Sequence, residues 1–90
     1  MTKCVLSYEV AADGMARIPA EYPAHKARVD AFHERGVLLM IGTWANPADG
    51  AMAVFASREA AQEFVSDDPF VVNGVVGKWT LRDWNEVLSR

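Results

Sequence analysis

His25 and Asp68 are the two residues of this chain whose types could do chemistry together. About 43 positions separate them, so only the fold can bring them into contact. An imidazole has an unperturbed pKa of about 6.5, and a carboxylate beside it can orient the ring and hold its proton. In a pocket the pair would act as acid and base. His25 would start neutral and take a proton from a substrate hydroxyl or an acidic C–H, which typically contributes about 10²–10⁴-fold. Each residue also has a plainer role. A histidine on an apolar helix stripe can pack on its neighbours and bond a carbonyl, and an aspartate before proline caps a helix whatever else it does. Asp67 is a rival for that cap.

Several other side chains are candidates for contact with a substrate. Phe70 closes the tripeptide Asp68-Pro69-Phe70 and reads as pocket wall or core. Tyr22 lies one turn before His25, and Ser7 lies on the first strand with Tyr8 and Glu9. Trp44 ends an apolar run and is the tryptophan best placed to stack on an aromatic ligand, whereas Trp79 and Trp84 read as packing or interface anchors. His33 follows His25 by eight positions, which puts it about 80° off the same helical azimuth, beside Glu34 and Arg35. It reads as a solvated surface residue. The spacing is wrong for a two-histidine metal site, so no metal is expected. No phosphate loop, nucleophile elbow or cofactor motif occurs, and any catalysis is expected to be cofactor-free.

The elements that must position these groups follow from periodicity. Lys3 to Val10 alternates, with Cys4, Leu6, Tyr8 and Val10 on one face, as in a strand. Asp13-Gly14 predicts a turn in a loop running to Ile18. Ile18, Tyr22, His25, Val29 and Phe32 recur at helical spacing. They predict a helix over Ala20 to Arg35, ending at Gly36 and becoming regular near Pro23. His25 would then sit in the first full turn, where the positive end of the helix dipole favours the neutral ring.

Val37 to Ile41, extended through Trp44, and Ala51 to Ala56 are apolar on both alternating faces. Asn46 to Gly50 between them reads as a hairpin loop. Ser57 predicts an N-cap for a helix over Arg58 to Ser66. Asp68 and Pro69 predict a second short turn ended by Gly74, and Val75 to Trp84 alternates as a last strand.

The order strand, helix, strand, strand, helix, strand predicts an α+β, ferredoxin-like βαββαβ domain spanning 1–90. Two helices would cover one face of a four-stranded antiparallel sheet. The middle strands then expose a second apolar face, and pairing of two sheets in a homodimer is the economical cover.

Composition narrows the function. The chain has 90 residues, 51% of them hydrophobic and 23% charged, with net charge −3, so it has a globular rather than a disordered composition. Its lysines and arginines never cluster, which argues against nucleic acid as a partner. Lone Cys4 can form no internal disulfide and reads as a buried, inert thiol. No signal peptide or membrane span is visible, so no membrane partner and a cytoplasmic location are expected.

The residues also resemble a known family. Tyr22-Pro23-Ala24-His25, Gly36-Val37-Leu38-Leu39-Met40-Ile41-Gly42, the Ser57-to-Phe64 helix and Asp68-Pro69-Phe70 are similar, in this order, to the YCII-related (YciI-like) family. The resemblance runs from Cys4 to Trp84. It implies a dimeric α+β barrel of ferredoxin-like subunits and a His–Asp dyad at His25 and Asp68. It also implies chemistry such as dehydrochlorination of a chlorinated hydroxyquinol, within a superfamily that includes lactone isomerases and small monooxygenases. The chain departs from the pattern at Tyr22, where the family often has Arg, and at Thr43 and Trp44, where it often has Pro and a small apolar residue. Loss of the Arg removes an anchor for an anionic or phenolate substrate.

Two readings follow. The first is a cofactor-independent lyase or isomerase acting on a small cyclic or aromatic molecule. The second is a non-catalytic small-molecule-binding or dimerisation module of the same fold.

Overall fold

A computed structural model describes residues 2–90. Four strands form one antiparallel sheet in the order β2-β3-β1-β4, where β1 is Thr2–Val10, β2 Leu38–Thr43, β3 Ala51–Phe55 and β4 Val76–Asn85. Helix α1 spans Gly14–Glu34, α2 spans Arg58–Asp67 and the single turn α3 spans Pro69–Val72. This is the α+β, ferredoxin-like order expected from the sequence.

Registers sort the side chains by face. Cys4, Leu6 and Tyr8 of β1 pair with Phe55, Ala53 and Ala51 of β3, and all point toward the helices. Leu38 and Ile41 join them from β2. On this side Leu6, Leu38 and Phe55 are essentially solvent-free, packed against Phe32 of α1 and Ala61, Phe64 and Val65 of α2. Phe64 is the hub, with its ring about 5 Å from those of Phe32 and Phe55. Apolar area removed from water here contributes about 25 cal/mol per Å². The opposite face carries Val5, Ser7, Met52, Val54 and, beyond a bulge between Leu38 and Met40, the exposed Met40. No helix covers it.

Capping follows the sequence closely. Ser57 Oγ accepts from the Ala60 N–H at 3.2 Å to start α2, and Asp68 does the same for α3, accepting from the Phe70 N–H at 3.2 Å. Asp68, not the exposed Asp67, is therefore the cap. Asn46 Oδ1 accepts from the Ala48 N–H and turns the β2–β3 loop into a short 3-10 turn over Pro47–Asp49. Gly36, at φ +79°, supplies the left-handed residue that ends α1.

The start of α1 differs from expectation. The helix begins at Gly14, not at Ala20, and carries both Pro19 and Pro23 inside it. Each proline lacks an N–H, yet both lie on the exposed side, where the carbonyls they leave unbonded can meet water. Gly14 itself packs so closely on the Val75 carbonyl that an added Cβ would lie 2.2 Å from its oxygen. The Asp13-Gly14 pair thus marks a close helix–strand approach rather than a loop. His25 consequently lies near the middle of a 21-residue helix, too far from its N-terminus for the dipole to act on the ring.

Candidate functional site

Three elements deliver side chains to one point beneath the helices. Tyr8 comes from the helix-facing side of β1, His25 from mid-α1, and Asp68 from the corner between α2 and α3. His25 Nδ1 and Asp68 Oδ1 are 2.7 Å apart. Tyr8 donates its hydroxyl to Asp68 Oδ2 at 2.5 Å. Asp68 is wholly buried and His25 is 8% exposed.

The carboxylate fixes the ring's tautomer. Asp68 Oδ1 already accepts from the Phe70 amide, so the Nδ1 contact is a donor bond, and Nδ1 carries the proton. Among the described residues Nε2 has no hydrogen-bond partner, while every buried side-chain nitrogen and oxygen there has one. Nε2 therefore opens onto the adjoining cleft. The ring is held from the side as well. Phe70 stacks on it with centroids 3.7 Å apart and planes 2° from parallel, and the edge of Phe64 approaches at 6.4 Å.

That cleft has a volume of about 250 Å³. Its walls are Val29, Ile41, Ala51 and Phe70, with the rings of Tyr8 and Tyr22 completing it. Lys26 reaches the lining too, but its ammonium is held by both oxygens of Asp30 at 2.7 and 2.8 Å. Such exposed pairs are weak, so Lys26 screens the mouth without being locked. Burial of Tyr8, then the neighbouring Asp68 charge and the hydrogen bond to it, push the phenol's pKa far above its ordinary value.

Of the residues expected from sequence, His25, Asp68, Phe70 and Tyr22 come together around this cleft. Ser7 does not. It pairs with Met52 and Thr80 on the far face of the sheet, away from the imidazole. Trp44 lies just beyond the end of β2, half exposed and outside the cleft lining, whereas its neighbour Thr43 takes part in that lining. Tyr8 has a larger share than its sequence position announced. A phenol on the same face as Cys4 and Leu6 must find a buried acceptor, and that was the available signal. His33 is exposed, as expected, but its Nδ1 also bonds the Leu38 carbonyl at 2.9 Å. No helix among the described residues is long and apolar enough to cross a membrane. Nor does any cluster of three or more His, Cys, Asp or Glu among them stand ready for a metal.

Solved structures share the fold. The 5-chloro-2-hydroxyhydroquinone dehydrochlorinase of Burkholderia phenoliruptrix, in complex with 2,5-dihydroxybenzoquinone, is 20% identical, with 94% of each chain covered and a TM-score of 0.66. An antibiotic biosynthesis monooxygenase is 12% identical, covering 98% of this chain and all of its own, with a TM-score of 0.62. A variant of MhuD with two manganese protoporphyrin IX molecules per active site is 14% identical over 100% of this chain and 98% of its own, at a TM-score of 0.54. At these identities the likeness is one of architecture. No curated protein matches the chain. The pattern of the YCII-related domain, however, matches residues 1–85, and the chain belongs to that family.

Proposed function

We propose that this chain is a cytoplasmic, cofactor-independent lyase or isomerase acting on a small cyclic or aromatic molecule. One observation carries the reading: an imidazole whose Nδ1 is tied to a buried carboxylate and whose Nε2 opens into an apolar cleft. Nε2 takes a proton from a substrate O–H or acidic C–H. The electron pair left behind either forms a new π bond as a leaving group departs, or stays delocalised until the proton returns elsewhere on the ring. Asp68 keeps the productive tautomer and counters the imidazolium charge that forms.

The walls favour an uncharged, flat ring over a carboxylate-bearing substrate. Tyr22 stands where the family often carries an arginine, which leaves at the cleft only Lys26, weakly paired with Asp30. The dehydrochlorinase that shares this fold, solved with a dihydroxybenzoquinone, supports a ring of that kind. A homodimer joined through the uncovered sheet face completes the proposal, with Val5, Met40 and Met52 as its apolar contacts. Scattering at micromolar concentration should give twice the monomer mass, and monomer alone would remove this part.

The missing arginine also favours a second reading, a binding module without turnover. A screen of hydroxylated aromatics and lactones separates the two. Turnover by the native chain that disappears in His25→Ala supports catalysis. Binding without turnover, unaffected by that substitution, supports the module.

A further inference from the structure

A buried carboxylate needs its charge compensated. Asp68 is fully buried, and no arginine or lysine reaches it by hydrogen bond among the described residues. Its partners are the Phe70 amide and His25 on Oδ1 and the Tyr8 hydroxyl on Oδ2. Only His25 could supply a full positive charge, and it would do so by taking a second proton on Nε2. That proton would occupy the nitrogen that must stay free to act as a base. Whatever else satisfies Asp68 therefore bears on whether Nε2 is free for the proposed role.

We infer that Tyr8 is a positioning residue for the His25–Asp68 pair, its hydroxyl stabilising the Asp68 charge as a neutral donor and so keeping Nε2 of His25 unprotonated. It does so at the shortest of the three contacts, 2.5 Å against 2.7 and 3.2 Å. A hydrogen bond to an ionised oxygen is about twice as strong as one between neutral groups. The phenol also fixes the plane of the carboxylate, since Oδ2 is held from β1 while Oδ1 faces α1. Tyr8 touches His25 only through Asp68, so its influence is indirect.

Other groups around the ring cannot substitute for it. On α1 itself, Tyr22 approaches at 6.3 Å between ring centroids without a hydrogen bond. Lys26 faces Asp30, and Arg28, whose charge reaches Tyr8, hydrogen-bonds the Phe64 and Glu63 carbonyls rather than Asp68. From the α2–α3 side Asp67 is exposed and Phe70 offers only its ring and amide. From β2 the cleft receives Ile41, Gly42 and Thr43, none of them ionisable near neutrality.

The inference rests on the proposed role of His25 as a base, but its test does not need a substrate. The ring of His25 is followed by NMR through a pH titration in the native chain and in Tyr8→Phe, which keeps the aromatic bulk. Losing the neutral donor should raise the midpoint for His25, while His33 stays where it was. In an Asp68→Asn background, Tyr8→Phe should move nothing. An unshifted midpoint in folded Tyr8→Phe, or an equal shift without the Asp68 charge, overturns the proposal.

Should Tyr8→Phe fail to fold, the native chain supplies the answer. The Tyr8 Cζ resonance should follow protonation of His25 with the same midpoint, and an invariant resonance refutes the coupling. These outcomes stand apart from the enzymatic reading. Turnover surviving His25→Ala would end that reading and leave the Tyr8 coupling intact, while an inert Tyr8 would leave the base in place.

Discussion

Helix α1 carries two histidines eight positions apart, and they meet different fates. Both donate from Nδ1, so both leave Nε2 as the unprotonated nitrogen. His33 donates to the Leu38 carbonyl beside a bulge, with its ring exposed. His25 donates to a buried carboxylate, lies under Phe70 and faces a largely apolar cleft. A carbonyl dipole orients an imidazole but cannot answer the charge it acquires on protonation, whereas a carboxylate does both. The two rings share a tautomer, so what sets His25 apart is the buried carboxylate behind it and the apolar cleft in front, the features on which its proposed role as a base rests.

Substitutions at the two positions should break that contrast most sharply. His25→Ala should lower turnover of any accepted ring compound by about 10²–10⁴-fold, while His33→Ala leaves it unchanged. Equal losses in a steady-state assay would show that the surroundings of His25 confer nothing.

The next effect concerns the acceptors. Asp68→Ala removes a helix cap and orphans the buried donors of Tyr8 and His25, so it should cost about 3 kcal/mol in urea unfolding. Asp68→Asn keeps the cap and should cost far less. If both variants unfold at the same urea concentration, the cap and the buried bonds contribute little.

A smaller effect should appear at alkaline pH. Tyr8 holds its proton in the folded state well above the pH at which an unfolded phenol releases it, about 10. The folded chain then binds more protons than the unfolded one, so stability is fully present below pH 10 and falls as pH rises beyond it. The slope is at most about 1.4 kcal/mol per pH unit from this group. Tyr8→Phe should flatten that decline. A native-like slope in the variant would assign the loss to other residues. Least of all, His33→Ala should cost about 1 kcal/mol or less, since it deletes one partly solvated hydrogen bond. A loss of several kcal/mol would make the bulge end of α1 the more critical region.

Much of the scaffold was legible because its signals are local. Alternation marked β1 and β4, unbroken apolar runs marked β2 and β3, and Gly36, Ser57 and Asp68 ended or began helices through their own geometry. The beginning of α1 was not local. Prolines at 19 and 23 look like breakers until one knows that their side of the helix faces water, and Gly14 looks like a turn until Val75 is seen against it. At the site, His25, Asp68 and Phe70 drew attention by type and order. Ser7 and Tyr8 were both read as able to line the pocket, although strand parity sends neighbours to opposite faces, so only one could. Tyr8 is that one, and its bond to Asp68 belongs to the tertiary fold alone. Trp44 was judged by size and aromaticity, yet a residue past the strand end answers to the path of the loop.

Asp68 begins α3 and also bonds the imidazole, so one side chain serves both the local fold and the proposed chemistry. Most replacements at 68 would therefore undo the corner together with the proposed reaction. Asparagine is the exception, because its amide oxygen can start the turn as well as a carboxylate does while bearing no charge. A chain of this fold that binds without the proposed turnover could keep the same corner with asparagine there.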